Sequence, residues 1–296
     1  MNGSRRTAFA VLLALAAGAS FYPLRPQSPS GPVIGLRYRS LGPGEAVVAT
    51  LENGRGVLRA VFHFRGQDYA LDNSGSSAEA LVFIGLDLAL PPGTYPLSVT
   101  VERTGGLREE LHKDIVVEAR EFPSTKLWVK PDFAVPPKAV EERIAREAEL
   151  VAAVYARISP HWLGRGDFAL PHDGKAFPNF GQRRIYNNKP RSTHGGVDIA
   201  APMGSPIRAA NSGRVVLASD LYLSGRTVII DHGLGVFSSY GHMSKVLVKR
   251  GEDVRKGDVI GKAGSTGRST GPHLHWAVRI RDARIDPFSL LRLGLD

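Results

Sequence analysis

The chain has 296 residues, 43% hydrophobic and 22% charged, with no cysteine and a formal net charge of +10. Those values describe a globular protein long enough for two cores, and they exclude disulfides, thiolate metal sites, cysteine nucleophiles and a lipidated-cysteine anchor. The charge favours an anionic partner, whether nucleic acid, acidic lipid or acidic wall polymer, but the basic residues are dispersed and no nucleic-acid motif occurs, so no nucleic-acid partner is expected.

Arg5-Arg6 precedes an apolar run from Thr7 to Ala19, closed by the small residues Ala17-Gly18-Ala19. Residues 1–19 are therefore predicted as a signal peptide or an uncleaved signal anchor that would tether the chain to a membrane. The bulk of the chain is expected outside the cytoplasm, in the periplasm, cell envelope or beyond. Residues 20–32, rich in Pro, Ser and Gly, read as a linker.

Over residues 33–120 short runs alternate with period two. Leu58, Ala60, Phe62 and Phe64 fall on one face of a candidate strand, and Tyr95, Leu97, Val99 and Val101 on one face of another. Turns are signalled at Glu52-Asn53-Gly54, Asn73 to Ser77, Pro91-Pro92-Gly93 and Thr104-Gly105-Gly106. The spacing predicts an immunoglobulin-like β-sandwich in a chain that is mainly β. His63 and His112 are isolated and read as ordinary surface or half-buried residues.

Residues 121–165 are predicted as a linker and an amphipathic helix that packs the two domains together. Val140, Ile144, Ala148, Val151, Val154 and Ile158 recur at helical steps after Pro136-Pro137, and Ser159-Pro160 ends the pattern. Residues 166–296 return to β texture, with strands expected around Val215, Val228, Phe237, Val246 and Val259. Five of the nine histidines lie from His194 onward.

His273-Leu274-His275 enters a strand from the Gly/Ser/Thr-rich loop Gly264 to Gly271. Strand alternation points both imidazoles to one face. His194 and Asp198 are separated by a Gly-Gly step that allows nitrogen and carboxylate to converge on one ion. With His275 they make a His2Asp set, and three protein ligands leave a fourth position open, as in a catalytic zinc site. His242 and His273 are then the candidates for moving protons and holding a developing oxyanion. No His-Glu-x-x-His and no Gly-x-Ser-x-Gly occurs, which excludes the helical zincin base and the serine elbow.

His194-x3-Asp198, Tyr240-Gly241-His242 and Gly271-Pro272-His273-Leu274-His275 together resemble the signature segments of the lysostaphin-type (LytM-like) zinc endopeptidases that cut peptide cross-links of peptidoglycan. The resemblance covers about the last 130 residues. It implies one Zn2+ held by His194, Asp198 and His275, with His242 and His273 as unligated catalytic histidines. It also implies two facing antiparallel sheets with the metal in a groove walled by the glycine-rich loop. A tyrosine before the first ligand assists in some relatives, and Tyr186 is the nearest candidate here. The expected partners are peptidoglycan stem peptides and cross-links, cut at D-Ala–diaminopimelate, D-Ala–Lys or polyglycine bonds. A non-catalytic wall-binding or amidase-activating module on the same fold is the alternative. The front domain's placement raises the further expectation that it covers the groove and inhibits it.

Overall fold

A computed structural model describes residues 31–71 and 81–295. The predicted signal, most of the following linker and the turn at Asn73 to Ser77 lie outside the described residues.

The first module comprises β1 (Val33–Tyr38), β2 (Ala46–Glu52), β3 (Val57–Phe64), β4 (Gln67–Ala70), β5 (Leu81–Gly85), β6 (Gly93–Arg103) and β7 (Arg108–Val117). They form two antiparallel sheets, β1-β2-β5 and β4-β3-β6-β7. Ala60, Phe62 and Phe64 of β3 and Leu97, Val99 and Val101 of β6 meet Val47, Ala49, Val82 and Ile84 of the other sheet in one core. Leu58 departs from the expected pattern and is 62% exposed. A bulge between Val57 and Arg59 shifts the register against β6 and turns Leu58 outward.

The chain continues through β8 (Ser124–Leu127), α1 (Pro131–Ala134), α2 (Lys138–Tyr155), β9 (Arg183–Tyr186), β10 (Lys189–Thr193), β11 (Gly196–Ala200), β12 (Pro206–Arg208) and β13 (Gly213–Leu221). It ends with β14 (Gly225–Asp231), β15 (Val236–Met243), β16 (Lys245–Val246), β17 (Asp253–Val254), β18 (Val259–Lys262), β19 (His273–Ile280) and β20 (Ala283–Ile285). The main sheet runs β11-β19-β15-β14-β13-β17 with β20 beside β19, and β12-β18-β16 forms a second sheet. The third sheet, β10-β9-β8, was not foreseen. Its β8–β9 pairing is parallel, so the segment expected as linker contributes a strand of its own.

Helix α2 follows Pro137 and spans 18 residues, the five turns that its spacing predicts. Val154, with Val151 and Tyr155, packs on Leu217, Leu221, Ile229 and Phe237. The two modules also touch directly. Ala46, Val48, Phe83 and Leu88 share a buried core with Val197, Ile199, Trp276, Val278 and Ile285. Packing is close enough there that a Cβ on Gly85 would lie 2.5 Å from that of Ala283. Around this seam, Glu45 and Asp286 are both buried. Arg39 reaches Asp286 at 2.8 Å, and Arg120 reaches Asp286 at 2.9 Å and Glu45 at 3.2 Å, as buried carboxylates require. No helix among the described residues is long and apolar enough to cross a membrane.

Candidate metal centre

Burial alternates strictly along β19. Leu274, Trp276, Val278 and Ile280 enter the core, so His273 and His275 share the opposite face. Both neighbouring strands then deliver partners. Asp198 of β11 stands directly opposite His275, and Gly241 of β15 stands opposite it on the other side. His194 reaches the same place across Gly195-Gly196. A Cβ on Gly196 would lie 2.5 Å from Trp276 O and 2.9 Å from His275 Cε1, so only glycine lets the backbone pass this close. His242 has a φ of 62°, a left-handed conformation costing a non-glycine residue on the order of 1 kcal/mol. Such strain concentrates at functional sites.

Three ligand atoms converge: His194 Nε2 lies 2.9 Å from His275 Nδ1 and 3.2 Å from Asp198 Oδ1, and His275 Nδ1 lies 3.1 Å from Asp198 Oδ1. Bonds of about 2.0–2.2 Å to a tetrahedral zinc ion would hold its ligands roughly 3.3 Å apart. The set of two imidazoles and one carboxylate, at this spacing, therefore fits zinc after a slight opening. It is the one cluster of its kind among the described residues.

The predicted catalytic histidines stand alongside. His273 Nε2 is 3.6 Å from Asp198 Oδ1, while its Nδ1 donates to Gly271 O at 2.8 Å. His242 Nδ1 donates to Thr266 O at 2.8 Å, and its ring centroid is 4.7 Å from that of His273 and 5.9 Å from that of His275. These carbonyls fix the tautomers and leave each Nε2 without a proton. Tyr186, at the end of β9, is buried on the wall of the same groove, with the Arg268 guanidinium 4.6 Å above its ring.

Two residues that matter here were missed from the sequence. The carbonyl of Asn179 accepts the Nδ1 proton of His194 at 2.9 Å. Its side-chain amide donates to Asp198 Oδ2 at 3.0 Å, and its Oδ1 accepts the Asp198 amide N–H at 3.0 Å. One asparagine thus orients two of the three ligands. Arg184 donates to Asp198 Oδ2 as well. In the sequence Arg184 is half of an unremarkable basic doublet, and Asn179 is marked only by its place before Phe180-Gly181.

Burial pushes His194 down to about 4, helped by His275 and opposed by Asp198. Burial, then the neighbouring His275 and His273, push His242 down to about 3. Both imidazoles are therefore neutral near pH 7. For Asp198, burial acts upward but is outweighed by the His194 and His275 imidazoles beside it, which hold the carboxyl far below its usual range. His232 is fully buried away from the cluster, its Nδ1 donating to Ser212 O at 2.7 Å and its Nε2 2.7 Å from Ser238 Oγ. Those two hydrogen bonds give His232 a structural role.

Cavities of about 190 Å³ and about 110 Å³ border the cluster, and Arg184, Tyr186 and Arg268 line both. No residue of β1–β7 lines either one. Leu127, at the end of β8, and Val129, just beyond it, form part of the second wall instead, so the described sandwich residues do not supply the cover expected of the front domain. The glycine-rich loop is tied down: Thr266 Oγ1 donates to Met243 O at 2.8 Å and Arg268 N to Leu223 O at 2.8 Å. A larger cavity of about 880 Å³ lies between α2 and the β3–β4 turn, bounded by Tyr155, Arg279 and Arg281. It holds no ligand cluster.

Three potential ligand atoms converging on a β framework beside two further imidazoles match the donor arrangement that hydrolytic metal centres use. Residues 192–287 of the chain match Peptidase family M23. It is 41% identical over 104 residues to peptidoglycan DD-endopeptidase ShyA of Vibrio cholerae, covering 35% of this chain and 24% of that protein. It is 44% identical over 97 residues to DD-carboxypeptidase/endopeptidase Mpg of Neisseria meningitidis, covering 33% of this chain and 22% of that protein. The matched stretch thus spans under a quarter of these relatives' length. A crystal structure from Pseudomonas aeruginosa, described as a candidate M23 peptidase, superposes with a TM-score of 0.65 at 29% identity, over 86% of this chain and 96% of that one. That likeness includes the front module.

Proposed function

We propose that this chain is a zinc-dependent endopeptidase that hydrolyses peptide cross-links of bacterial peptidoglycan outside the cytoplasm. The observation that carries the reading is the triangle of His194 Nε2, Asp198 Oδ1 and His275 Nδ1, with the bare Nε2 of His273 3.6 Å from the shared carboxylate oxygen. The family match and the names of the relatives agree with it.

His194, Asp198 and His275 would hold one zinc ion per chain, whose Lewis acidity lowers the pKa of a coordinated water and polarises a carbonyl. The rest falls to this chain's side chains. His242 and His273, each with its Nδ1 proton committed to a carbonyl, take up a proton at Nε2 and return it to the departing amine. Once protonated, the same Nε2–H groups donate to the oxyanion that forms on the scissile carbonyl. Burial keeps His242 neutral beforehand and so able to accept. Asn179 and Arg184 hold Asp198 from behind, leaving its Oδ1 for the ion. Tyr186 walls the groove and is assigned an assisting role.

We read the front module as an immunoglobulin-like sandwich, and residues 1–19 as the signal or anchor that delivers the chain to the envelope. The excess positive charge suits a surface rich in carboxylate and phosphate. A non-catalytic wall-binding role is disfavoured because all five residues of the constellation are present and convergent.

Metal analysis paired with a digest of purified peptidoglycan tests the reading. One zinc per chain, release of cross-linked peptides that a chelator stops, and loss of both in His194→Ala are expected. Equal solubilisation by wild type and His273→Ala would remove the proposed mechanism.

A further inference from the structure

The groove carries positive charge at one place that the hydrolytic steps do not use. The charged side chains lining the two cavities, histidines aside, are Arg184, Arg268 and Asp198. Asp198 is engaged with Arg184 and with the ligand imidazoles. Arg268 is the second guanidinium, and a cation in the ligand triangle would add to its field. The groove is therefore electrostatically matched to an anionic substrate.

The position of Arg268 is defined rather than loose. Its amide donates to Leu223 O at 2.8 Å, and the preceding Gly267, at a φ of 70°, packs so closely that a Cβ would lie 2.3 Å from Gly225 N. Arg226 N donates to Thr266 Oγ1 at 2.9 Å, which pins the same turn from the other side. The side chain then lies across the buried ring of Tyr186. Because both residues line both cavities, their stack forms a bar between them, and a peptide occupying the two cavities passes against it. Stacking uses the flat face of a guanidinium, whereas a carboxylate binds along its edge, so the two interactions are compatible. Beside it, Arg184 Nε is buried with no hydrogen-bond partner among the described residues. A ligand oxygen would satisfy that donor.

Resting on the peptidoglycan reading above, we propose that Arg268, held on Tyr186, binds a carboxylate carried by the substrate beside the scissile amide. The groove thereby selects cross-links made through diaminopimelate over those made through lysine or glycine. Diaminopimelate bears a carboxylate on the carbon attached to the scissile nitrogen. Lysine has hydrogen there, and an internal glycine bridge has no carboxylate at all. The three bonds that the sequence left open thus differ in one group, and Arg268 is placed to read it.

The test uses the full zinc-loaded chain and two defined cross-linked peptide dimers that differ only in diaminopimelate or lysine at the bridge. Wild type is expected to favour the diaminopimelate dimer in kcat/KM by about ten- to a hundredfold, the scale of one charge-assisted hydrogen bond. Arg268→Ala should collapse that ratio to near one, and Arg268→Lys should restore part of it by keeping the charge without the fork. Equal wild-type rates on the two dimers, or an unchanged ratio in both variants, would overturn the proposal. Equilibrium dissociation constants for the same dimers, measured on His273→Ala with and without Arg268→Ala, supply a second readout. If wild type cleaved neither dimer, the hydrolase reading would fail, while the ratio of these constants would still decide whether Arg268 reads the carboxylate.

Discussion

The front sandwich and the C-terminal sheets are built from the same alternation, yet they bury different chemistry. Among the described residues between β1 and β7 the buried polar side chains are Glu45 and Thr50, and the core is otherwise aliphatic and aromatic. From His194 onward the list is longer: His194, Asn211, Thr227, Asp231, His232, Ser238, His242, Asp286 and Ser289. Each such group costs free energy unless it is paired, so their density marks where a fold has been constrained by something besides stability. His232 shows that burial alone does not define the site. Its two hydrogen bonds close on Ser212 and Ser238, whereas His194, His242, His273 and His275 turn bare or shared nitrogens toward one another from β15, β19 and the link into β11.

That contrast can be broken most sharply by matched histidine substitutions. His194→Ala is expected to abolish zinc retention and lower wall solubilisation by more than about 10³-fold, since a ligand to the polarising ion is lost. His63→Ala in the sandwich also removes a hydrogen-bonded histidine, one lying 2.7 Å from Asp68 and 2.9 Å from Thr100. It should leave both properties within about twofold, a change small enough to follow from surface effects. Metal analysis and turbidity of a wall suspension read both variants, and comparable losses in the two would mean that the site does not lie in the C-terminal sheets.

Acid should also separate a closed buried histidine from the sandwich. Burial holds His232 at about 4, against 6.5 for a free imidazole. Below pH 6.5 the unfolded chain takes up a proton that the folded chain refuses, so the stability is complete above that value. It declines as pH falls toward 4 and levels off beyond. The loss over this window is about 3 kcal/mol. His194 and His242 act in the same direction in zinc-free protein, so the measurement is the difference between wild type and His232→Gln in how the urea-unfolding free energy changes with pH. An identical pH slope in the two proteins would contradict the burial argument.

A smaller effect is expected one layer behind the ligands. Asn179→Ala should weaken zinc binding by about ten- to a hundredfold while leaving the far-UV circular dichroism unchanged, because the side-chain amide clamps Asp198 and the residue's carbonyl orients His194. Wild-type zinc affinity in this variant, measured by competition with a chelator, would show that the ligands are oriented by the strands alone.

The comparison also explains what could be read from the sequence. The residues of the proposed site were legible because strand alternation places His273 and His275 together, and because the glycines between His194 and Asp198 announce a close backbone approach. Helix α2 was legible from its spacing. Asn179 and Arg184 were not, since their contribution is a set of hydrogen bonds to residues 14, 15 and 19 positions away, and neither residue type signals such contacts by itself. Leu58 was misplaced because a bulge carries no periodic signature. β8 was hidden for a related reason: Ser-Thr-Lys-Leu has no apolar alternation, and its partner strand starts more than fifty residues later.

β8 is also where the boundary between the two regions can be tested most finely. Asn187, at the β9–β10 turn with a φ of 49°, accepts from Val129 N at 3.0 Å and donates to Val129 O at 3.0 Å. It thereby fastens the segment that brings Leu127 and Val129 to the groove wall. Substitution by alanine would confound two effects, because a left-handed backbone disfavours alanine by itself. Asn187→Gly keeps the conformation accessible and removes only the side-chain bonds. The expected outcome is a rise in KM for cross-linked peptide of less than about tenfold, the scale of one or two neutral hydrogen bonds, with zinc content unchanged. A fall in KM would instead mean that the fastened segment obstructs the groove, and the cover expected of the sandwich would then belong to β8. No change in either parameter would place Val129 outside the path of the substrate and confine the functional groove to β9 onward.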